Sequence, residues 1–482
     1  MDDILSLDAT GQLQALADRR IGAKELLEAV VARDARLSPS INAVVARDFD
    51  RAATDARRID ERRVGGQSLG PLAGLPMTVK DTLDVEGLPA SAGLANLLGR
   101  ICTDADPVAR VRAAGAIIWG KTNTPVKAAD WQTYNALYGT TNNPWDLTRT
   151  PGGSSGGSAA ALAAGLTALE IGADISGSLR IPAGFCGVYA HKPSYGLVSQ
   201  RGLVPPPDSG GDIDLAVVGP MARSARDLAL LLPLIASTPL GPAEPAVQPK
   251  GLRVALWLEA PGFALDGSVR NVIAKFAARL ADAGAHVEPA PLPVDTEYMM
   301  RTYVTLLMSV LGADLPPGTR RLYEVFRPAA KLAMVLGAGA MSWPHALLGQ
   351  IARPDAWRAA DAARAQIGAA MAAFFTRYDV LLAPIAPVPA FPHDHTPFLA
   401  RKLRLSSGRR IGYREMMTWN ALATVCGLPA TAIPAGLDES GMPVGVQLIG
   451  PRGGDARLLA VARGIEEQLG GFIPPPAIPP SR

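Results

Sequence analysis

The sequence predicts an α/β fold in which one mixed, twisted central β-sheet is covered by α-helices on both faces. Two short apolar segments, 75–79 and 116–120, are typical of buried strands, and the segment 106–114 between them is typical of a helix. Strands that alternate with helices indicate α/β architecture. The same patterns predict later strands at 379–384, 431–434 and 444–449 and a last helix at about 455–469.

Composition narrows the classes of protein to consider. The chain has 482 residues, of which 48% are hydrophobic, so a large core is available. Lys plus Arg number 47 and Asp plus Glu 44, and the resulting net charge of +3 argues against a nucleic-acid-binding protein. Three cysteines, without any ligand-like spacing, argue against a disulfide framework and a zinc site. The acidic start and the lack of a long apolar run predict a cytoplasmic protein that does not cross a membrane.

Residue composition and hydrophobic pattern divide the chain into three parts. Residues 1–65 are expected to form an N-terminal helical segment, residues 66–475 one large domain, and residues 476–482 a flexible tail rich in proline. Within the large domain, the motifs that contain candidate catalytic residues fall at about 70–230. The stretch at about 290–350 is apolar, rich in Met and helical in pattern.

Two loops that carry serines flank one Ala-rich helix. Ser154 and Ser155 lie in a Gly-rich loop before the helix, and Ser178 follows the helix, 24 residues after Ser154. A helix of about 12 residues and a return segment can bring both loops to the same end of a sheet. Successive N–H groups in the stretch 175–178 can converge on one anion, as in an oxyanion hole.

A serine hydroxyl is a poor nucleophile without a base, and Lys80 is the candidate base. It ends the apolar segment 75–79, so burial of that strand is expected to desolvate the amine. A free lysine has a pKa of about 10.4, and neutrality near pH 7 requires a drop of about 3 units, roughly 4 kcal/mol. Asp81 is expected to point away, because neighbouring side chains alternate along a strand.

Longer stretches around these residues resemble the amidase signature family of serine hydrolases. The first serine loop lies in PGGSSGGSAAALAAG, the second in GADISGSLRIPAGFCGVYAHKPSYGLVS, and the lysine in GPLAGLPMTVKDTLDVEG. Similar blocks follow in DLAVVGPMARSARDLALLL, DVLLAPIAPVPA and GLPATAIPAGLDESGMPVGVQLIGPRG. Together they cover most of residues 10–470, whereas 290–350 shows the least resemblance.

The resemblance implies a Ser–cis-Ser–Lys catalytic triad. Ser178 would attack the carbonyl carbon, Ser154 would relay the proton, and neutral Lys80 would be the ultimate base. The peptide bond before Ser154 would be cis. The oxyanion would be bound by four backbone N–H groups, those of Ile175, Ser176, Gly177 and Ser178.

The resemblance also implies supporting residues around the triad. Ser155 would form a hydrogen bond with Lys80, and Asp174 and Arg180 would brace the nucleophile loop. This chain has Ser176 where many family members have glycine, which leaves the N–H in place but narrows the backbone options. The segment upstream of the first serine loop is a plausible wall of the substrate site or an ordinary surface loop, and its residues are Ala129, Asp130, Trp131 and Gln132.

The function that follows is hydrolysis of a carboxylic amide through an acyl-enzyme, without a metal or an organic cofactor. Ester and carbamate (urethane) bonds present similar carbonyls and are further candidates. The apolar segments in 290–350 either form core helices or line the site. In the second case an apolar pocket with adaptable Met side chains favours hydrophobic acyl or aryl amides, as in an aryl acylamidase or a urethanase.

Three alternatives remain at this stage. One is the amidotransferase A subunit, which resembles the same blocks, acts with partner subunits and uses glutamine. Another is an α/β-hydrolase-type esterase, in which Ser154 stands in a GxSxG elbow and His393 or His395 supplies the late histidine. The third is a scaffold protein, which would require a missing catalytic group. The expected partner is a small-molecule amide, with a homodimer as one candidate assembly.

Overall fold

The computed structural model describes residues 2–204, 211–241 and 244–476. The proposed flexible tail lies outside the described residues from 477 onward. In the described part the helices are α1 (Asp2–Ser6), α2 (Ala9–Ala17), α3 (Ala23–Ile41), α4 (Phe49–Val64), α5 (Asp106–Ala113), α6 (Gly156–Ala163), α7 (Arg180–Cys186), α8 (Ala225–Ile235), α9 (Gly267–Asp282), α10 (Thr296–Leu311), α11 (Pro317–Val335), α12 (Trp343–Gln350), α13 (Pro354–Phe374), α14 (Ala421–Val425) and α15 (Asp455–Leu469).

The strands follow the apolar segments of the sequence closely. They are β1 (Val44–Arg47), β2 (Pro76–Lys80), β3 (Ile117–Thr122), β4 (Tyr134–Asn135), β5 (Gly139–Thr140), β6 (Leu169–Asp174), β7 (Tyr189–Lys192), β8 (Val217–Ala222), β9 (Arg253–Leu256), β10 (His286–Pro289), β11 (Val380–Pro384), β12 (Lys402–Arg404), β13 (Arg410–Gly412), β14 (Ala430–Leu437) and β15 (Pro443–Ile449). The strands predicted from sequence near β2, β3, β11, β14 and β15 are therefore present.

The main sheet has eight strands in the order β10-β9-β11-β15-β14-β7-β8-β6. The strands from β10 to β11 are parallel, whereas those from β11 to β6 are antiparallel, so the sheet is mixed as predicted. A second sheet, β1-β3-β2, lies beside β6, and the two are joined where the hydroxyl of Thr78 on β2 donates to the carboxylate of Glu170 on β6 at 2.6 Å. The N-terminal segment is helical except for β1, which pairs with β3.

Both faces of the main sheet are covered, as the fold prediction requires. Alternate residues of β11 enter two different apolar cores: Leu381 belongs to one, and Val380 and Leu382 to the other. The first core is closed by α7, α10, α13 and α14, and the second by α5, α8, α9 and α15. This alternation is what a strand buried on both faces produces.

The apolar stretch 290–350 splits into helices with opposite environments. Helix α10 is buried through Met299, Met300 and Tyr303, and it packs into the first core. Helix α11 has Ala330 as its buried residue, whereas Val325 is 73% exposed. The core-helix interpretation of this stretch therefore holds for α10 but not for α11.

The helices of the described ranges lack the properties of membrane spans. None of them combines the length and the hydrophobicity that a crossing of the bilayer requires.

Candidate active site

Lys80 is the last residue of β2, and its amine lies inside the protein. The parallel register of β2 and β3 places Lys80 beside Thr122, and the lysine side chain is fully buried. Its Nζ donates a hydrogen bond to Oγ of Ser154 at 2.7 Å. Asp81 points away, as strand alternation predicts, and its carboxylate accepts hydrogen bonds from Ser91.

Burial governs the charge of this lysine. Loss of solvation lowers the pKa of Lys80 to about 7, although the carboxylates of Asp174 and Glu170 act to raise it. Near neutral pH a substantial fraction of the amine is therefore uncharged. An uncharged amine that already contacts a hydroxyl is positioned to accept a proton.

The first serine loop is held against the segment that precedes it. The Gly153–Ser154 peptide bond is cis. Gly153 has no room for a side chain, because a Cβ there would lie 2.6 Å from the carbonyl oxygen of Asp130. The carbonyl of Ser154 accepts from the Thr124 hydroxyl at 3.0 Å, and that of Gly152 accepts from the Thr133 hydroxyl at 2.8 Å. Helix α6 begins directly after this loop.

The second serine loop turns sharply at the end of β6. Gly177 has a φ of +88°, a conformation that favours glycine, and a Cβ there would lie 2.7 Å from the Asn420 side chain. The carboxylate of Asp174 accepts from the N–H groups of Gly177 at 2.8 Å and Leu179 at 3.1 Å. The Asp174 carboxylate thus holds the loop in this conformation through two backbone N–H groups.

The two loops meet through their backbones. The N–H of Ser155 donates to the carbonyl of Ser178 at 3.1 Å. Ser178 is 5% exposed and Ser154 is 1% exposed, so both residues are almost completely shielded from solvent. The Ser154 and Ser178 hydroxyls do not form a hydrogen bond with each other in the described structure. Catalytic hydrogen bonds often tighten only when substrate is bound.

Three of the four proposed oxyanion donors are free to act. In the described residues, the N–H groups of Ile175, Ser176 and Ser178 have no hydrogen-bond partner. Gly177 departs from the prediction, because its N–H is already engaged by the Asp174 carboxylate and is not available to an oxyanion. Ser176 keeps its N–H, and its buried hydroxyl lacks a hydrogen bond of acceptable geometry in the described residues.

A fully buried ion pair braces the second serine loop, which carries Ser178. Arg180 donates to both carboxylate oxygens of Asp174 at 3.0 Å, and neither side chain is exposed. Burial alone would raise the pKa of Asp174, but the guanidinium overrides that effect and holds the pKa at about 2. Arg180 also donates to Gln447 at 2.9 Å and to Thr424 at 3.0 Å, which ties the loop to β15 and α14.

Two aromatic side chains contact the backbone of the second serine loop. Trp131 donates from Nε1 to the carbonyl of Ser176 at 2.8 Å, and Tyr303 of α10 donates from its hydroxyl to the carbonyl of Ile175 at 3.1 Å. Trp131 also packs edge-on against Tyr413, with ring centroids 5.4 Å apart. The predicted wall segment thus reaches the site through Trp131.

The other members of that segment are engaged elsewhere or lie on the surface. Asp130 pairs with Arg401 at 2.6 Å and accepts from the Tyr413 hydroxyl at 2.6 Å. The side chain of Gln132 forms hydrogen bonds with the backbone of Asp394 at 2.7 and 2.9 Å. Ala129 is exposed on the surface.

The role expected for Ser155 needs a correction. Its hydroxyl lies 3.5 Å from the carbonyl of Ala173, and no hydrogen bond joins it to Lys80 in the described structure. Ser155 instead contacts the second serine loop through its backbone, where its N–H donates to the carbonyl of Ser178.

The geometry rules out the nucleophile-elbow alternative. An elbow needs a buried strand that runs into the motif, whereas the residues after β5 form turns up to Ser154. The hydrogen-bond partner of the Ser154 hydroxyl is Lys80. His395 stacks on Tyr134, with ring centroids 4.0 Å apart, and neither it nor His393 contacts the serine.

Sequence reasoning missed the residues that reach the site from distant elements. Tyr303, Asn420 and Gln447 belong to segments whose local pattern carries no functional signal. Glu170 had a signal: it is a lone acid in the otherwise apolar first part of strand β6. In the described part of the chain, no group of three or more His, Cys, Asp and Glu side chains could hold a metal ion.

Comparison with known proteins gives consistent matches. A family model described as Amidase matches residues 25–459. The chain is 34% identical over 470 residues to the A subunit of the glutamyl-tRNA(Gln) amidotransferase from a Cyanothece species, covering 91% of this chain and 92% of the relative. It is 35% identical over 497 residues to the corresponding protein of Chloroflexus aurantiacus, covering 96% of each chain.

Solved structures match over nearly the full length as well. A crystal structure of an amidase superposes with a TM-score of 0.78 at 32% identity, covering 96% of this chain and all of the other. A 6-aminohexanoate cyclic dimer hydrolase in complex with its substrate superposes with a TM-score of 0.77 at 29% identity, covering 96% of this chain and 97% of the other.

The Asp174–Arg180 pair yields a stability prediction. We expect Arg180→Met to lower the free energy of unfolding by about 3–5 kcal/mol, because it leaves the Asp174 carboxylate buried without its counter-ion. Urea denaturation measures the change. The control is Arg253→Met, which breaks the exposed pair with Asp379 and should shift the midpoint little. Equal midpoints for the two variants would contradict the assigned role of the buried pair.

Proposed function

The chain belongs to the amidase signature family, and on that premise we propose that it cleaves a carboxylic amide through an acyl-enzyme formed on Ser178. Members of this family hydrolyse amide C–N bonds. The single observation that carries the finer proposal is the 2.7 Å hydrogen bond from the fully buried amine of Lys80 to the hydroxyl of Ser154.

In the proposed first step, the Ser178 oxygen attacks the carbonyl carbon of the amide. Its proton passes to the Ser154 oxygen, while the proton of Ser154 passes to the neutral amine of Lys80. The carbonyl oxygen becomes an oxyanion, for which the free N–H groups of the nucleophile loop are available donors. The relay requires the hydrogen bond between the two serine hydroxyls, which we expect to form when substrate binds.

The second step releases the amine. As the tetrahedral intermediate collapses, the C–N bond breaks and the leaving nitrogen takes the proton back from Lys80 through Ser154. Water then attacks the acyl-Ser178 ester, and the same relay first removes the water proton and later restores the serine hydroxyl. The lysine is neutral at the start and end of each half-reaction.

The walls of the site favour an amide flanked by uncharged, apolar or aryl groups. Trp131 and Tyr303 lie directly against the nucleophile loop. The charged groups next to that wall are paired: Asp130 with Arg401 at 2.6 Å, and Asp174 with Arg180 at 3.0 Å. A zwitterion such as glutamine needs unpaired charges of both signs in its site. One relative of known structure, the 6-aminohexanoate cyclic dimer hydrolase, is named for an amide that carries no such zwitterion.

A glutamine-dependent amidotransferase A subunit is the second candidate. The curated relatives favour it over the apolar amide, since they are 34–35% identical to this chain over more than nine tenths of its length. In that case the same acyl-enzyme would form on Ser178, and partner subunits would be required for the complete reaction.

The catalytic assignment predicts the effect of two variants. Ser178→Ala and Lys80→Met should each abolish turnover of amides while the folded structure is retained, because one removes the nucleophile and the other the base. Hydrolysis rates and circular dichroism measure the two properties. Lys275→Met, which removes an exposed lysine on α9, is the matched control and should retain activity. Turnover by Ser178→Ala would refute the assignment of the nucleophile.

The two substrate candidates give opposite results with a panel of amides. We expect release of aniline from acyl anilides and N-phenyl carbamates to exceed release of ammonia from glutamine by at least about 100-fold in kcat/KM, since unpaired polar groups are costly in an apolar pocket. Ser178→Ala supplies the background rate. Preferential hydrolysis of glutamine, or activity that appears only when amidotransferase partner subunits are added, would establish the second candidate instead.

A further inference from the structure

A buried carboxylate lies behind the lysine on the strand that carries the nucleophile loop. Glu170 is the second residue of β6 and is fully buried. It accepts a hydrogen bond from the Thr78 hydroxyl at 2.6 Å and from the N–H of Ile171 at 3.1 Å. Thr78 stands two residues before Lys80 on β2, so the two side chains share one face of the strand.

Glu170 belongs to a group of buried polar side chains close to Lys80. Thr122 is the register neighbour of Lys80 on β3, and its hydroxyl is 2.8 Å from that of Ser158 on α6. Both hydroxyls favour the ionised form of Glu170, although burial dominates and raises its pKa to about 7. Each direct partner of the carboxylate is therefore a neutral donor.

The other charges near the lysine are already matched. Asp174 is paired with Arg180. Lys121 on β3 is also close to Glu170, but the carboxylates of Asp81 and Asp84 raise the pKa of Lys121 more than Glu170 does. In the described residues no cation lies within ion-pair distance of Glu170. Of the two carboxylates that act on Lys80, Asp174 has the larger effect but is bound to Arg180, so Glu170 is the one without a cation partner in the described residues.

We propose that Glu170 is a positioning residue for Lys80, whose carboxylate offsets the positive charge that the lysine acquires when it takes the serine proton. This inference rests on the proposed function of Lys80 as the base. When the neutral amine becomes an ammonium in a buried site, the charge is costly unless an anion is near. Glu170 supplies that anion from the neighbouring strand, while its hydrogen bond from β2 keeps it in place.

The inference predicts a shift in the pH dependence of serine activation. Glu170→Gln keeps the shape of the side chain but removes its charge, so the ammonium form of Lys80 loses stabilisation and its pKa falls. We expect the acid limb of the rate to move to lower pH by at most about one unit, because Glu170 is itself only partly ionised in that pH range. The plateau rate should fall about tenfold, because the lysine becomes a weaker base.

The rate of covalent labelling of Ser178 by phenylmethanesulfonyl fluoride, followed from about pH 5 to about pH 10, measures both effects without knowledge of the substrate. The matched control is Glu466→Gln. Glu466 also has its pKa raised to about 7 by burial, but it is bonded to the N–H of Ala225, away from the site. Loss of the Glu466 charge should leave the pH of the acid limb and the plateau rate of labelling unchanged.

Thr78→Val gives an independent test if Glu170→Gln does not fold. It removes the 2.6 Å donor to the carboxylate, so Glu170 ionises less readily and the limb should move in the same direction by a smaller amount.

The outcomes distinguish the role of Glu170 from the assignment of Lys80 as the base, on which that role rests. A limb and plateau that stay at the wild-type values in Glu170→Gln, or in Thr78→Val when only that variant folds, would overturn the role of Glu170 while Lys80→Met still abolishes labelling. Labelling that proceeds normally in Lys80→Met would overturn the base assignment and the present inference together.

Discussion

The site depends on the burial of one amine at the junction of two sheets. Lys80 ends β2, where the small sheet meets β6 of the large one, and its side chain is shielded from solvent. Hydration would keep the amine protonated at neutral pH, whereas loss of solvation lowers its pKa to about 7. In the proposed mechanism, the hydroxyls of Ser154 and Ser178 become reactive only because a neutral amine is available to take a proton.

The surrounding charges are arranged so that they do not cancel this effect. Arg180 engages Asp174, which leaves that carboxylate to hold the nucleophile loop instead of forming a salt bridge with the lysine. Asp81 follows Lys80 in sequence but faces the opposite side of β2. Glu170 remains near the amine without direct contact. As a result, both the neutral and the charged form of Lys80 are populated near pH 7.

Local sequence patterns predicted the parts of the site that lie on single elements. The lysine strand and the two serine loops follow from short-range residue order, whereas the brace formed by Asp174 and Arg180 was implied only by the resemblance to the amidase signature family. Contacts between distant elements could not be predicted in this way. Tyr303 is 128 residues from the Ile175 carbonyl that it binds, and Asn420, which leaves no room for a Cβ at Gly177, is more than 240 residues from that glycine.

The titration of Lys80 itself tests this account most directly. Carbon-13 labelling at lysine Cε allows each amine to be followed by NMR as pH changes, and the signal that disappears in Lys80→Met belongs to Lys80. That variant is needed because burial also lowers the pKa of Lys192 to about 7. The account predicts that the assigned signal titrates with a midpoint of about 7. A midpoint near about 10.4, the value of a lysine in water, would contradict it.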